Sequence, residues 1–136
     1  HVGELRTDCI ATCSPVLLDA LVTGQDRPYI GLLAWPNLAA CRALIGQPDA
    51  SFDTIATHPA VRDAVRRGLQ AHNATTQGAS SRRIARVLLL TEPPSIDGNE
   101  LTDKGYINQK AGLTRRAALV ERLYAEQPTD DVIVLK

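Results

Sequence analysis

Apolar and polar positions alternate along this chain in two rhythms, one helical and one extended. Leu5, Cys9, Ile10 and Cys13 fall at helical spacing and predict a short helix over Val2–Cys13. Ser14-Pro15 stops it, because proline cannot continue the helical hydrogen-bond pattern. Val16–Val22 is apolar apart from Asp19 and reads as a strand, and Tyr29–Trp35 is a second, reached through the polar turn Thr23–Pro28. These two are expected to pair as an antiparallel hairpin. Leu38–Ile45 returns to helical spacing and ends at Gly46, before a loose segment through Gln47-Pro48-Asp49. Thr57-His58-Pro59 reads as the next helix start, with Thr57 as cap and Pro59 in the first turn, where its missing N–H is harmless. That helix turns Val61, Ala64, Val65 and Leu69 inward and Arg62, Asp63, Arg66 and Arg67 outward. The polar run Asn73–Arg83 is expected to be a mobile surface loop. Ile84–Leu90, almost unbroken in apolar residues, reads as a third strand at the centre of the sheet. Thr91–Tyr106 holds two prolines and two glycines and reads as a loop. A last helix is predicted over Asn108–Glu126, with Leu113, Ala117, Val120 and Tyr124 at the i, i+4, i+7, i+11 spacing of a buried stripe. The pattern leaves open whether the tail Asp131–Lys136 forms a strand. The sum is an α+β fold, a small three-stranded sheet with an antiparallel hairpin and packed helices. It forms one domain over 1–136, with no repeat or internal boundary.

Composition narrows the class. Hydrophobic residues make up 44% of 136 positions and aromatic ones only 4%, so the core must be aliphatic and large enough to need neither disulfides nor metal. Lys plus Arg and Asp plus Glu are 15 each, and this zero balance argues against a dedicated nucleic-acid or membrane-surface binder. Cys9, Cys13 and Cys41 are too few and oddly numbered for a disulfide framework. Cys9 and Cys13 share a helix face, but His58 and His72 lie at no matching spacing for a metal site, so buried free thiols are expected. No apolar run reaches bilayer length and no signal peptide is evident, so the expectation is a soluble, cytoplasmic chain.

Chemistry concentrates in the loop Glu92–Lys110. Lys104, between Asp103 and Gly105, can reach an anionic substrate as a point charge on a flexible stem. The competing reading is an ordinary surface lysine paired with Asp103 or Glu100. Ser51, Asp53 and His58 are nucleophile-triad residue types, but nothing in the sequence brings them together. Arg82-Arg83 and Arg115-Arg116 could meet phosphates, although solvated faces explain them better. Gly24 and Gly31 belong to a hairpin and not to a phosphate-cradling loop. Trp35 reads as core.

Glu100-Leu101-Thr102-Asp103-Lys104-Gly105-Tyr106-Ile107-Asn108-Gln109-Lys110, followed by Arg116-Ala117-Ala118-Leu119-Val120, resembles the C-terminal end of feruloyl-CoA synthetases, which are adenylate-forming acyl-CoA synthetases. Asp19–Arg27 with Gly31-Leu32-Leu33 is similar to the hairpin of the same C-terminal domain, and Val2-Gly3-Glu4-Leu5 to the helix before it. Thr102-Asp103 stands before the lysine where the wider superfamily usually has Ser-Gly, which matches the feruloyl branch. The resemblance implies a C-terminal lid that closes over a separate N-terminal domain and shows no ligase activity alone. It implies ATP and CoA as co-substrates and a hydroxycinnamic acid such as ferulate. Mg²⁺ would be held mainly by the N-terminal domain, and Lys104 would be the lid lysine that assists adenylation. The alternative is a stand-alone binding module that keeps the lid fold without catalysis.

Overall fold

The structure, a computed structural model, describes residues 2–136. Its elements in chain order are α1 (Val2–Thr12), β1 (Leu17–Thr23), β2 (Ile30–Pro36), α2 (Leu38–Ile45), α3 (Phe52–Thr57), α4 (Pro59–Ala74), β3 (Ile84–Leu89), α5 (Gln109–Arg115), α6 (Ala117–Leu123) and β4 (Val132–Val134). The strands form one sheet in the order β1-β2-β3-β4. β1 and β2 make the expected antiparallel hairpin, β2 and β3 run parallel through the crossover of α2–α4, and β4 returns antiparallel to β3.

Strand periodicity builds a core on each face of this sheet. Ala20, Val22, Leu32, Ala34, Val87 and Leu89 point to one side, where they meet Leu5, Cys9, Val61, Val65 and Leu69 of α1 and α4. Their neighbours Leu21, Leu33, Trp35, Leu88 and Leu90 point to the other, against Leu123 of α6. Both faces are therefore covered, and β2 and β3, central and parallel, are apolar but for Arg86, which is why they show no alternation in sequence. A bulge between Leu17 and Asp19 lets Leu17 and Ala20 share a face although they lie three apart.

Four expectations need correction. The sheet has four strands: Val132, Ile133 and Val134 of the tail pair with Leu88, Val87 and Arg86, and Ile133 is fully buried. Thr57 is not a cap but the last residue of α3, which Ser51 caps through its Oγ; the cap of α4 is His58, whose Nδ1 accepts from the Ala60 N–H at 3.1 Å. The segment after α4 is tied at both ends: Asn73 donates to and accepts from the Ile84 backbone, and His72 Nε2 meets the Arg82 carbonyl at 2.7 Å. The terminal helix is two helices, because Arg116 leaves helical geometry at φ −105°, ψ 29°. Its buried line is Gly112, Arg116 and Leu123 with Leu119 half-buried, one residue out of phase with the expected stripe, and Ala117 is exposed.

Candidate functional site

Lys104 sits on a tight turn just before α5. Leu101 and Ile107 bridge its base, the Thr102 N–H donates to the Tyr106 carbonyl at 2.8 Å, and the Gly105 N–H donates to the Thr102 carbonyl at 2.9 Å. The Tyr106 N–H adds a bond to Thr102 Oγ1 at 3.1 Å. Gly105 closes the turn at φ +82°, a conformation L side chains resist. Asp103, Lys104 and Tyr106 are exposed, and among the described residues Lys104 makes no ion pair. Its supposed partner Glu100 is elsewhere engaged.

Glu100 lies at the root of the turn and is wholly buried. Its carboxylate accepts from Arg116 Nε at 2.8 Å and Nη2 at 3.0 Å, and from the Ser95 N–H at 2.8 Å. Its backbone accepts from Asn108 N–H at 2.8 Å and donates to the Ser95 carbonyl at 2.9 Å. Burial alone would push this carboxyl up, but the Arg116 and Ser95 hydrogen bonds and the charges of Arg116 and Arg115 outweigh it and hold it below its ordinary value. Arg116, almost as deeply buried, also reaches the carbonyls of Glu92 at 3.3 Å and Pro93 at 3.1 Å and lies over the Trp35 ring, whose Nε1 donates to Glu92 O at 2.8 Å. The sequence treated this arginine as solvated; its role is visible only once the chain folds.

The other end of the turn is fixed on the sheet. Asn108 caps α5 by accepting from Ala111 N–H, and the Gln109 amide docks on the free edge of β1, accepting from Val22 N–H at 2.8 Å and donating to Ala20 O at 2.9 Å. Gln109 thus does for the edge strand what a neighbouring strand would. No role was assigned to it from sequence; a glutamine directly after an Asn cap was the only hint. Gly112 then brings α5 against β1, where an added Cβ would stand 2.6 Å from Leu21 Cδ2.

The remaining candidates are accounted for structurally. Ser51 and His58 each cap a helix, and Asp53 is exposed in the first turn of α3. Arg82 pairs with Asp8 at 2.7 Å, and Arg115 lies 3.6 Å from Glu100. Trp35 is core, as expected. The three cysteines are buried free thiols; burial, with the Cys13 thiol beside it, pushes Cys9 up to about 12, and burial pushes Cys13 up to about 11. Among the described residues no group of His, Cys, Asp and Glu would hold a metal ion. The hairpin turn is pinned to α6 by Tyr124, which stacks on Tyr29 at 4.8 Å, donates to the Tyr29 carbonyl at 2.7 Å and lies under Arg27. A cleft of about 830 Å³ opens between α1, the hairpin turn and α5, lined by Leu5, Val22, Gln25, Ile30, Gln109 and Leu113, and Lys104 does not face it.

The fold that carries this turn has counterparts among solved structures. The A-PCP didomain of carboxylic acid reductase from Segniliparus rugosus, in complex with AMP, superimposes with a TM-score of 0.65 at 22% identity over 92% of this chain. The A domain of carboxylic acid reductase from the same organism, in complex with AMP and a co-purified carboxylic acid, gives the same TM-score, identity and coverage. The chain spans 16% and 18% of those two proteins, so they establish the fold and not the activity. No curated protein matches it. The family model for the AMP-binding enzyme C-terminal domain matches residues 6–128, and the chain belongs to that family.

Proposed function

We propose that this domain is the lid of an ATP-dependent acid–CoA ligase acting on a hydroxycinnamate such as ferulate, and that Lys104 is the residue it delivers to the adenylation step. The observation that carries the reading is the placement of Lys104: exposed, unpaired among the described residues, on a turn whose root is buried. A lysine so placed is free to meet an anion supplied from outside this chain. The resemblance of Glu100–Lys110 to feruloyl-CoA synthetases supplies the acid and the thiol, and family membership supplies the adenylating partner domain.

In the first step the acid's carboxylate oxygen attacks the α-phosphorus of ATP, the bond to the β-phosphate oxygen breaks, and acyl-adenylate and pyrophosphate result. Negative charge grows on the oxygens between nucleophile and leaving group. The Lys104 ammonium, brought in by lid closure, bridges carboxylate and α-phosphate oxygens and stabilises that charge. In the second step the CoA sulfur attacks the acyl carbon and AMP leaves, with the lid turned so that Lys104 is withdrawn. ATP, the acid and the accompanying Mg²⁺ are bound mainly by the N-terminal domain, and the reaction runs in the cytoplasm, where ATP and CoA are supplied.

The test is Lys104→Ala in the full-length protein that carries this domain. Loss of one charge-stabilising donor costs about 3–4 kcal/mol, so ferulate-dependent ATP–pyrophosphate exchange should fall roughly 100- to 1,000-fold. Thioester formation from preformed feruloyl-adenylate and CoA should be largely kept. Survival of exchange would make Lys104 an ordinary surface lysine. Exchange with ferulate no faster than with acetate would remove the acid assignment while leaving the lid assignment standing.

A further inference from the structure

We infer that Glu100 and Arg116 are positioning residues for the adenylation step, a buried clamp that aims the turn carrying Lys104; the inference rests on the reading of Lys104 above. Both ends of the turn meet at one residue. Glu100 enters it directly, and its carbonyl receives the Asn108 N–H at 2.8 Å, so the 101–107 turn hangs from Glu100 on either side. The Glu100 side chain then runs inward to Arg116, which holds both carboxylate oxygens and, through Nη2, the Glu92 and Pro93 carbonyls at the exit of β3. Arg116 itself sits at the α5–α6 junction above Trp35. Three segments that move independently in an unfolded chain (the strand exit, the turn root and the helix junction) are thereby fixed to one guanidinium.

Fold stability gives a weak reason for such a pair. Burying two charges loses hydration that their attraction hardly restores, and apolar residues of the same size commonly serve as well. Orientation gives a strong one. A planar guanidinium holding a carboxylate by two bonds fixes direction as well as distance, which a greasy contact does not. Two residues placed this way let Lys104 be exposed for delivery while the base of its turn stays rigid. The Arg115 guanidinium, 3.6 Å from Glu100 and half exposed, adds charge but no second fork.

The experiment uses the full-length protein with Glu100→Gln and Arg116→Lys, each alone and combined with Lys104→Ala. Read-outs are ATP–pyrophosphate exchange, thioester formation from preformed adenylate, and thermal unfolding. A misplacement near 1 Å costs on the order of 100-fold in a positioned reaction, so each single variant should lose exchange kcat on that scale. KM for ATP should change little, because the nucleotide is held by the other domain, and the thioester step should stay near wild type. In the Lys104→Ala background the same substitutions should add almost nothing, since there is no lysine left to aim. Equal loss in both half-reactions, or full additivity with Lys104→Ala, would overturn the inference, as would unfolding of both variants. If Lys104→Ala itself leaves exchange intact, the functional reading fails first and the two failures are told apart.

Discussion

Gly112→Ala puts two opposed effects of known size on one atom. Within α5 the exchange should favour folding, because glycine in a helix interior is about 1 kcal/mol worse than alanine. The added Cβ, however, lands 2.6 Å from Leu21 Cδ2, 3.0 Å from Cδ1 and 3.3 Å from Cγ. Those are side-chain atoms, but Leu21 is fully buried in the cluster of Leu33, Trp35 and Leu88, so moving it disturbs a packed core. Overpacking of this kind costs about 1–3 kcal/mol, and lifting α5 would also stretch the two Gln109 bonds to β1. Packing should win, with a net loss of up to about 2 kcal/mol. In a Leu21→Ala background, itself about 2–5 kcal/mol less stable, the obstruction is gone and Gly112→Ala should become stabilising by about 1 kcal/mol. Urea unfolding of the chain, followed by the fluorescence of its single tryptophan, Trp35, reads all four corners of the cycle. Equal effects of Gly112→Ala in both backgrounds would refute the close α5–β1 approach as the reason for this glycine.

Acid unfolding tests the Glu100 environment: its carboxyl is held below the unfolded value of about 4.3, so the native state binds fewer protons, and the stability it lends is complete above that value and lost as pH falls through the folded one. Urea midpoints taken between about pH 3 and 7 should therefore fall less steeply with acid in Glu100→Gln than in wild type, and parallel curves would count against a depressed carboxyl. The thiols give a second check. With Cys9 pushed up to about 12, Cys13 to about 11 and Cys41 buried in the same hydrophobic cluster, a thiol reagent at pH 8 should label none of the three until urea opens the fold. Rapid labelling of any one in the native protein would contradict this packing.

Much of the fold was legible because its longer elements obey one rule each. β1 and β2 flank a polar turn, α2 ends at Gly46 in the left-handed conformation, and β3 is apolar enough to be central. α3 and β4 escaped, since six and three residues are too few to display a period. The terminal helix misled for a different reason. Its buried positions are taken by a glycine, which permits close approach, and by an arginine, which burial can accommodate only because Glu100 neutralises it sixteen residues away. A count of apolar residues passes over both and selects the row beside them. Lys104 was legible as a candidate through its loop and through resemblance, whereas Glu100 entered only as a possible partner for it. The true partner lies across a tertiary contact that no local spacing encodes.

Magnitudes explain why a lysine proposed to serve adenylation should stand on so constrained a base. Ordering a peptide unit costs about 1–2 kcal/mol, so freezing the seven residues Leu101–Ile107 at the moment of reaction would cost on the order of 10 kcal/mol. One ammonium at the developing charge returns only about 3–4 kcal/mol. A turn that was loose in the resting domain would therefore consume more than its lysine supplies, and the lid would slow the step it is meant to assist. The balance changes sign only when the backbone is already ordered by folding, through the Thr102 bonds, Gly105 and the Glu100–Arg116 clamp, leaving chiefly the lysine side chain's own entropy of about 2 kcal/mol to be overcome. Exposure at the tip and burial at the root are thus two requirements of the proposed chemistry, and under that proposal a substitution at the root should damage adenylation without touching any atom of the substrate.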